Sequence, residues 1–244
     1  MNALHGHIAV VTGAGSGVGQ AIACALAIQG ATLCLVGRTL ATLQATACSV
    51  NNARGVTCCY PTDLTDDEAV QALAERLHRE WGAVDILVHS AGVYAMGKLD
   101  VAPVMELDLQ YRTNVRAPYL LTQALLPLLR RRQGQVVFIN SSVGLIAREQ
   151  VGSYAATKHA LRALADSFRE EVNAEGLRVL SVYLGRTASP MQAMIHAMEG
   201  KAYHPEHLLQ PSDVAAVVLN ALCLPRTAEV TDLSIRPFRK SLQG

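Results

Sequence analysis

The chain is expected to fold as a parallel, doubly wound α/β sheet with helices on both faces. Three observations point there: short apolar runs recur along the whole length, helical stretches separate them, and half the residues are hydrophobic while only 17% are charged. That composition supplies the apolar material for a sheet covered on both sides. Strands alternating with helices of crossover length pair in parallel. The 244 residues are within reach of one α/β core, and no Pro/Gly/Ser-rich linker, repeat or low-complexity tract divides them. One domain spanning 1–244 follows.

Seven runs read as strands: Ile8–Val11, Leu33–Val36, Val56–Tyr60, Ile86–Val88, Val136–Ile139, Val179–Tyr183 and Val230–Ile235. Asp66–Trp81 and Tyr154–Glu175 carry apolar residues at helical spacing. After the sixth run, Gly185–Gln210 has weak periodicity, punctuated by Pro190, Gly200 and Pro205. Ligands of such sheets bind beyond the carboxyl ends of the strands, so this stretch is read as a substrate lid.

The first run leads into Thr12-Gly13-Ala14-Gly15-Ser16-Gly17-Val18-Gly19, followed at once by the helical Gln20-Ala21-Ile22-Ala23. Glycines let the backbone turn tightly and approach a pyrophosphate, whose charge then sits at the positive end of a helix. A strand before and a helix after make this the setting of a Rossmann-type dinucleotide site; a loop that needs glycine for geometry only is the plainer alternative. The second run ends Val36-Gly37-Arg38. An acidic residue here would bind the 2′-hydroxyl of NAD, whereas arginine pairs with a 2′-phosphate. NADP(H) is thus favoured over NAD(H), against the alternative of a solvated arginine.

Tyr154-Ala155-Ala156-Thr157-Lys158 places a phenol and an ammonium one helical turn apart on one face. A nearby cation favours phenolate and is expected to lower the tyrosine pKa toward working pH, which suits a general acid for an alkoxide. Seven tyrosines and four lysines give such a pair by chance about 0.11 times per sequence, so position has to decide. Upstream, Val136-Val137-Phe138-Ile139-Asn140 runs into Ser141-Ser142, which puts hydroxyls at a strand's carboxyl end, facing the crevice of the glycine loop.

At these residues the chain resembles the short-chain dehydrogenase/reductase family, in its compact single-domain branch, over nearly the whole length. The family's TGxxxGxG stands at Thr12 to Gly19 and its YxxxK at Tyr154 to Lys158. The resemblance implies that Ser141, 13 residues before Tyr154, is the catalytic serine and Ser142 a neighbour. Leu109–Val115 resembles the segment carrying the active-site asparagine, which makes Asn114 the fourth member. Asp63-Leu64 resembles the pair that contacts adenine. The implied cofactor contacts are Gly13, Ser16, Gly17, Val18, Gly19, Arg38, Asp63, Leu64, Ala91, Gly92, Tyr154, Lys158, Gly185, Thr187 and Ser189.

Two departures from the family pattern stand out. His89-Ser90-Ala91-Gly92 replaces the usual Asn-Asn-Ala-Gly, so altered local hydrogen bonding with intact binding is expected. Leu184-Gly185 replaces Pro-Gly, and losing the proline's φ restraint is expected to loosen the root of the lid. Beyond it, Ser189 takes the position of the family's threonine that holds the nicotinamide carboxamide, with Thr187 as a competitor.

The implied activity is an NADP(H)-dependent interconversion of a carbonyl and an alcohol by hydride transfer, with Tyr154 as general acid/base, Ser141 on the reacting oxygen, Lys158 on the nicotinamide ribose and Asn114 positioning a water. Val93, Tyr94, Leu145, Arg148, Val151, Met191, Met194 and Ile195 are expected to line a mostly apolar pocket for a small-molecule substrate. A catalytically idle NADP(H) sensor is the main alternative, disfavoured because a sensor needs only the glycine loop. An epimerase or dehydratase usually carries a larger C-terminal domain, and a methyltransferase would leave YxxxK idle. Family habit implies a homodimer or homotetramer.

Other features suggest no further partner. A net charge of +1 gives no footprint for nucleic acid or an anionic membrane. Arg130, Arg131 and Arg132 fall where a helix should end and are explained by its dipole. Cys24, Cys34, Cys48, Cys58, Cys59 and Cys223 form no CxxC pair and read as reduced thiols of a cytoplasmic protein. Met1 to His7 has no signal layout, and no apolar run is long enough to span a bilayer. His204-Pro205-Glu206-His207 is read as an exposed loop, because the proline and the want of a third ligand argue against a metal site, and none is expected. His159 is read as packing.

Overall fold

All seven apolar runs form strands: β1 (Ile8–Thr12), β2 (Thr32–Gly37), β3 (Thr57–Pro61), β4 (Ile86–His89), β5 (Gln135–Ser141), β6 (Arg178–Leu184) and β7 (Asp232–Ile235). The computed structural model describes residues 3–50 and 56–238. Every pairing is parallel and the order is β3-β2-β1-β4-β5-β6-β7. The chain therefore winds outward in both directions from β1 and β4, which leaves a crevice at their carboxyl ends.

The helices are α1 (Gly17–Ile28), α2 (Leu40–Ser49), α3 (Asp67–Trp81), α4 (Val104–Tyr111), α5 (Ala117–Arg130), α6 (Gly152–Val172), α7 (Pro190–Met198) and α8 (Pro211–Leu222). They cover two faces, and the strands divide between them with a period of two. Ala9, Val11, Leu33, Leu35, Ile86 and Val88 pack with α1 and α8, through Ile22, Leu26, Val214 and Val218. Val10, Cys34, Val36 and Leu87 pack with α3, α5 and α6, through Val70, Leu77, Leu121, Leu125 and Leu161. Strands buried on both sides read as unbroken apolar runs, while each helix shows one stripe at spacings of three and four. Asp66 starts α3 by accepting from the amides of Glu68 and Ala69, and Gly82 ends it at φ 68°.

The segment Leu109–Val115 is not one regular helix: a π-helical turn, Arg112–Arg116, separates α4 from α5. Wider turns of this kind tend to mark functional sites, and this one holds Asn114. The expected loosening at Leu184 is not found. Leu184 pairs with Ser141 on one side and Ile235 on the other, and the next amide, Gly185, donates to the Ile235 carbonyl at 2.8 Å. Strand pairing on both sides, in place of a proline's φ restraint, keeps β6 tied where the lid begins. The weakly periodic stretch 185–210 also contains α7, which Pro190 opens from the first-turn position that tolerates proline.

The arginine run does more than complement a helix dipole. Arg130 pairs with Glu175, with one contact at 2.7 Å, and Arg131 donates to the Gly82 carbonyl at 2.7 Å, so the end of α5 is tied to both neighbouring connections. Among the described residues, no helix is long and apolar enough to cross a membrane.

Candidate active site

A cleft of about 1660 Å³ runs along the carboxyl ends of the strands. Its floor is the glycine loop. Gly13 sits at φ 65°, and a Cβ there would lie 2.8 Å from the Ala91 amide nitrogen; at Gly19 it would lie 2.4 Å from the Gly13 carbonyl oxygen. Backbone on both sides thus excludes a side chain at positions 13 and 19. Thr12 fixes that approach: its hydroxyl accepts from the amides of Ser90 at 3.0 Å and Ala91 at 3.1 Å. Ser16 caps α1 in extended conformation without a side-chain capping bond, which leaves the first-turn N–H groups available to an anion.

Gly13, Ser16, Gly17 and Val18 line the cleft, whereas Gly19 does not. Gly19 is buried behind the loop and acts on the cleft only by letting Gly13 come close. Arg38 is exposed at the rim, with Asp63 and Leu64 on the same wall. Asp63 accepts from the amide and hydroxyl of Thr65 at 2.9 and 2.8 Å. Those bonds, with a smaller contribution from the Arg38 charge, hold its carboxyl below the usual range.

Ser141, Tyr154 and Lys158 all line the same cleft, although β5 carries the first and α6 the other two. Lys158 is 5% exposed, and burial holds its ammonium down to about 8. Its Nζ donates to the Ile139 carbonyl at 3.0 Å and stands 5.8 Å from the centre of the Tyr154 ring. The expected depression of Tyr154 is not found. Burial pushes the phenol up to about 12, and a hydrogen bond with Ser141 opposes that without overcoming it. The ammonium lies over the ring, bonded elsewhere, so desolvation prevails. The ring of Tyr94 meets that of Tyr154 edge-on at 4.9 Å.

Asn114 is 1% exposed and does not reach the cleft surface. Its Oδ1 accepts from the Val93 amide at 2.9 Å, and its Nδ2 donates to the Val93 carbonyl at 2.9 Å and the Thr157 hydroxyl at 3.2 Å. Both amide hydrogens are therefore engaged in clamping the loop that follows β4 to α6. The neighbouring Thr113 does line the cleft, and its hydroxyl has no hydrogen-bond partner among the described residues. Nothing in the sequence pattern singles out Thr113, because its exposure to the cleft depends on the π-helical turn.

His89 bonds through Nε2 to the Thr122 hydroxyl at 2.8 Å and stacks on Phe138 at 5.0 Å; burial pushes its imidazole down to about 3. Ala91 and Gly92 keep their place on the cleft. On the far wall lie Gly185, Thr187 and Ser189. Ser189 caps α7 by accepting from the Gln192 amide at 3.1 Å, and Thr187 donates to the Gly185 carbonyl at 3.0 Å.

Of the expected pocket residues, Val93, Tyr94, Arg148, Val151, Met191 and Ile195 line the cleft, while Leu145 and Met194 do not. Leu145 follows a 3₁₀ turn, Ser142–Gly144, that takes it off the wall, and Met194 lies on the exposed side of α7. The pocket is more polar than expected, because Arg186 and Glu199 also line it, paired at 2.6 Å. His204, Glu206 and His207 bring three ligand-type atoms within 4.8 Å on the exposed surface, so the third donor thought wanting is Glu206. His159 is exposed, its Nδ1 2.9 Å from the Ala155 carbonyl.

Comparison with known proteins agrees with this geometry. The family model described as short chain dehydrogenase matches residues 7–200. An uncharacterized oxidoreductase of Staphylococcus aureus (strain USA300) is 32% identical over 240 residues, covering 97% of this chain and 100% of its own. Among solved structures, a metagenomic short-chain oxidoreductase in complex with NADP superposes with a TM-score of 0.83 at 28% identity, covering 98% of this chain and 100% of its own. An alcohol dehydrogenase from the archaeon Thermococcus sibiricus, complexed with 5-hydroxy-NADP, gives 0.86 at 25% identity over 98% and 99%. The chain belongs to the short-chain dehydrogenase/reductase family, and is an oxidoreductase built on its single seven-stranded domain.

Proposed function

We propose that this protein reduces a carbonyl compound, or oxidises the corresponding alcohol, with NADP(H) as hydride carrier. The observation that carries the reading is the convergence of Ser141, Tyr154 and Lys158 on one cleft with a glycine loop whose positions 13 and 19 admit no side chain. The loop suits a pyrophosphate, since the uncapped start of α1 offers N–H groups and positive potential. Arg38, exposed where the 2′-position of an adenosine would lie, favours the phosphorylated cofactor. Solved relatives that hold NADP agree with this choice.

When bound, NADPH supplies the hydride. Tyr154, whose pKa burial raises, holds its proton at neutral pH and donates it to the carbonyl oxygen. Ser141 hydrogen-bonds that oxygen. Lys158, buried and charged below about 8, reaches the nicotinamide ribose. With the Asn114 amide committed to Val93 and Thr157, a proton-supplying water would be held by the main chain of the π-helical turn. Ser189 and Thr187 face the carboxamide, and residues 185–210 close over the substrate. A homodimer or homotetramer is the working assembly we propose.

The test is an absorbance screen at the reduced-nicotinamide band with NADPH and, separately, NADH against diverse ketones and aldehydes. Consumption of NADPH on some carbonyl, faster than of NADH, is expected. Failure to bind either nucleotide would overturn the reading.

A further inference from the structure

β4 ends at His89, opposite Phe138 of β5, yet β5 runs on to Ser141. The Gln135 amide donates across to Asp85 at 2.8 Å, so the main-chain groups of alternate residues, 137, 139 and 141, face the β4 side. Beyond Phe138 there is no strand left to receive them, and buried main-chain groups need partners. Two side chains supply them. Lys158 Nζ donates to the Ile139 carbonyl at 3.0 Å, and the Ser141 amide donates to Asn140 Oδ1 at 2.8 Å.

Asn140, 3% exposed, does a second thing with its other end: its Nδ2 donates to the main-chain carbonyl of Lys158 at 3.1 Å. Lys158 is therefore held from both its ammonium and its carbonyl by consecutive residues of β5. Gly144 closes the third side, since a Cβ there would lie 2.7 Å from Asn140 Oδ1 and 2.9 Å from the Lys158 carbonyl oxygen. One side-chain amide thus joins the amide of Ser141 to the turn of α6 that carries Tyr154 and Lys158.

We infer that Asn140 is a positioning residue, which sets the placement of Ser141 against Tyr154 and Lys158 and keeps the Lys158 ammonium seated on the Ile139 carbonyl. The inference rests on the carbonyl-reductase reading for its kinetic consequence, but its geometry stands without a substrate. No other polar side chain is hydrogen-bonded to the Lys158 carbonyl or the Ser141 amide among the described residues. Alanine at 140 would leave that amide without its acceptor and free the strand end to shift; leucine would keep the volume and lose both the acceptor and the donor.

The test compares the wild type with Asn140→Ala and Asn140→Leu, both uncharged, in two measurements. The first titrates Lys158 by NMR of the lysine side chains, assigned through Lys158→Met. Loss of the Asn140 bridge is expected to admit water and move the Lys158 midpoint upward by at least half a pH unit in both variants. The second measures steady-state reduction of whichever carbonyl the wild type consumes. There kcat is expected to fall at least tenfold while the NADPH dissociation constant stays within about threefold. A residue with a merely packing role would lower thermal stability and leave the Lys158 midpoint in place. If either folded variant keeps that midpoint within 0.2 units, the proposal is overturned; Asn140→Leu serves if the alanine variant does not fold. Should the wild type consume no carbonyl, the functional reading fails and the NMR titration still decides the role of Asn140.

Discussion

The hydroxyl of Thr12 accepts the main-chain N–H of Ala91 at 3.1 Å, which ties the end of β1 to the turn after β4 where the glycine loop passes. The same oxygen accepts from Ser90, so a single side chain satisfies two amides at the centre of the switch point. Thr12→Val keeps the volume and strands both N–H groups, at a cost of about 1–3 kcal/mol. Urea unfolding should show a lower midpoint with unchanged slope, and Thr12→Ser should restore it.

Arg38 gives a cofactor test independent of chemistry. A charge-assisted bond to a 2′-phosphate contributes about 1.5–3 kcal/mol. Arg38→Ala should therefore weaken NADPH binding by about 10- to 100-fold, read by fluorescence titration, while NADH binding changes little. Equal losses for both nucleotides would mean that Arg38 supports the fold of the rim instead.

Burial keeps His89 neutral in the folded protein, with its imidazole pushed down to about 3, whereas in the unfolded chain it titrates near about 6.5. The unfolded state alone takes up the proton in between. Stability from this group is full above about pH 6.5 and declines as pH falls toward 3, by up to about 1.4 kcal/mol per unit. His89→Asn should remove that part of the acid sensitivity, so that denaturation curves of variant and wild type converge or cross on acidification. Parallel curves would show that His89 is protonated without cost.

Lys158 loses its charge above about 8, while Tyr154 keeps its proton well beyond that pH. The rate of carbonyl reduction should accordingly fall along one alkaline limb centred near 8. Lys158→Arg should be slower but should lack that limb, since guanidinium stays protonated. A limb unmoved by Lys158→Arg would assign it to another group.

What could be read from the sequence was periodic or local. Seven apolar runs, the glycine loop and the Tyr154–Lys158 spacing each depend on residues close in the chain, and all appear where expected. The sense of the Tyr154 shift did not follow from spacing, because it depends on how deeply α6 is buried and on Lys158 bonding to Ile139. The Arg186–Glu199 pair and the bond from Asn140 to the Lys158 carbonyl are likewise contacts between separate segments, and the π-helical turn around Asn114 is a local departure from α-helical winding that apolar spacing does not mark. Leu184 shows the opposite case, where a family habit suggested slack and strand pairing on both sides removed it.

Tyr154→Phe tests the proposed chemistry most directly. The substitution removes one oxygen and leaves the ring that Tyr94 meets edge-on, so NADPH binding should survive within about threefold, while carbonyl reduction should fall by at least about 10²–10⁴-fold. A folded Tyr154→Phe protein that binds NADPH and turns over at a near-normal rate would contradict the assignment of Tyr154 as the proton donor.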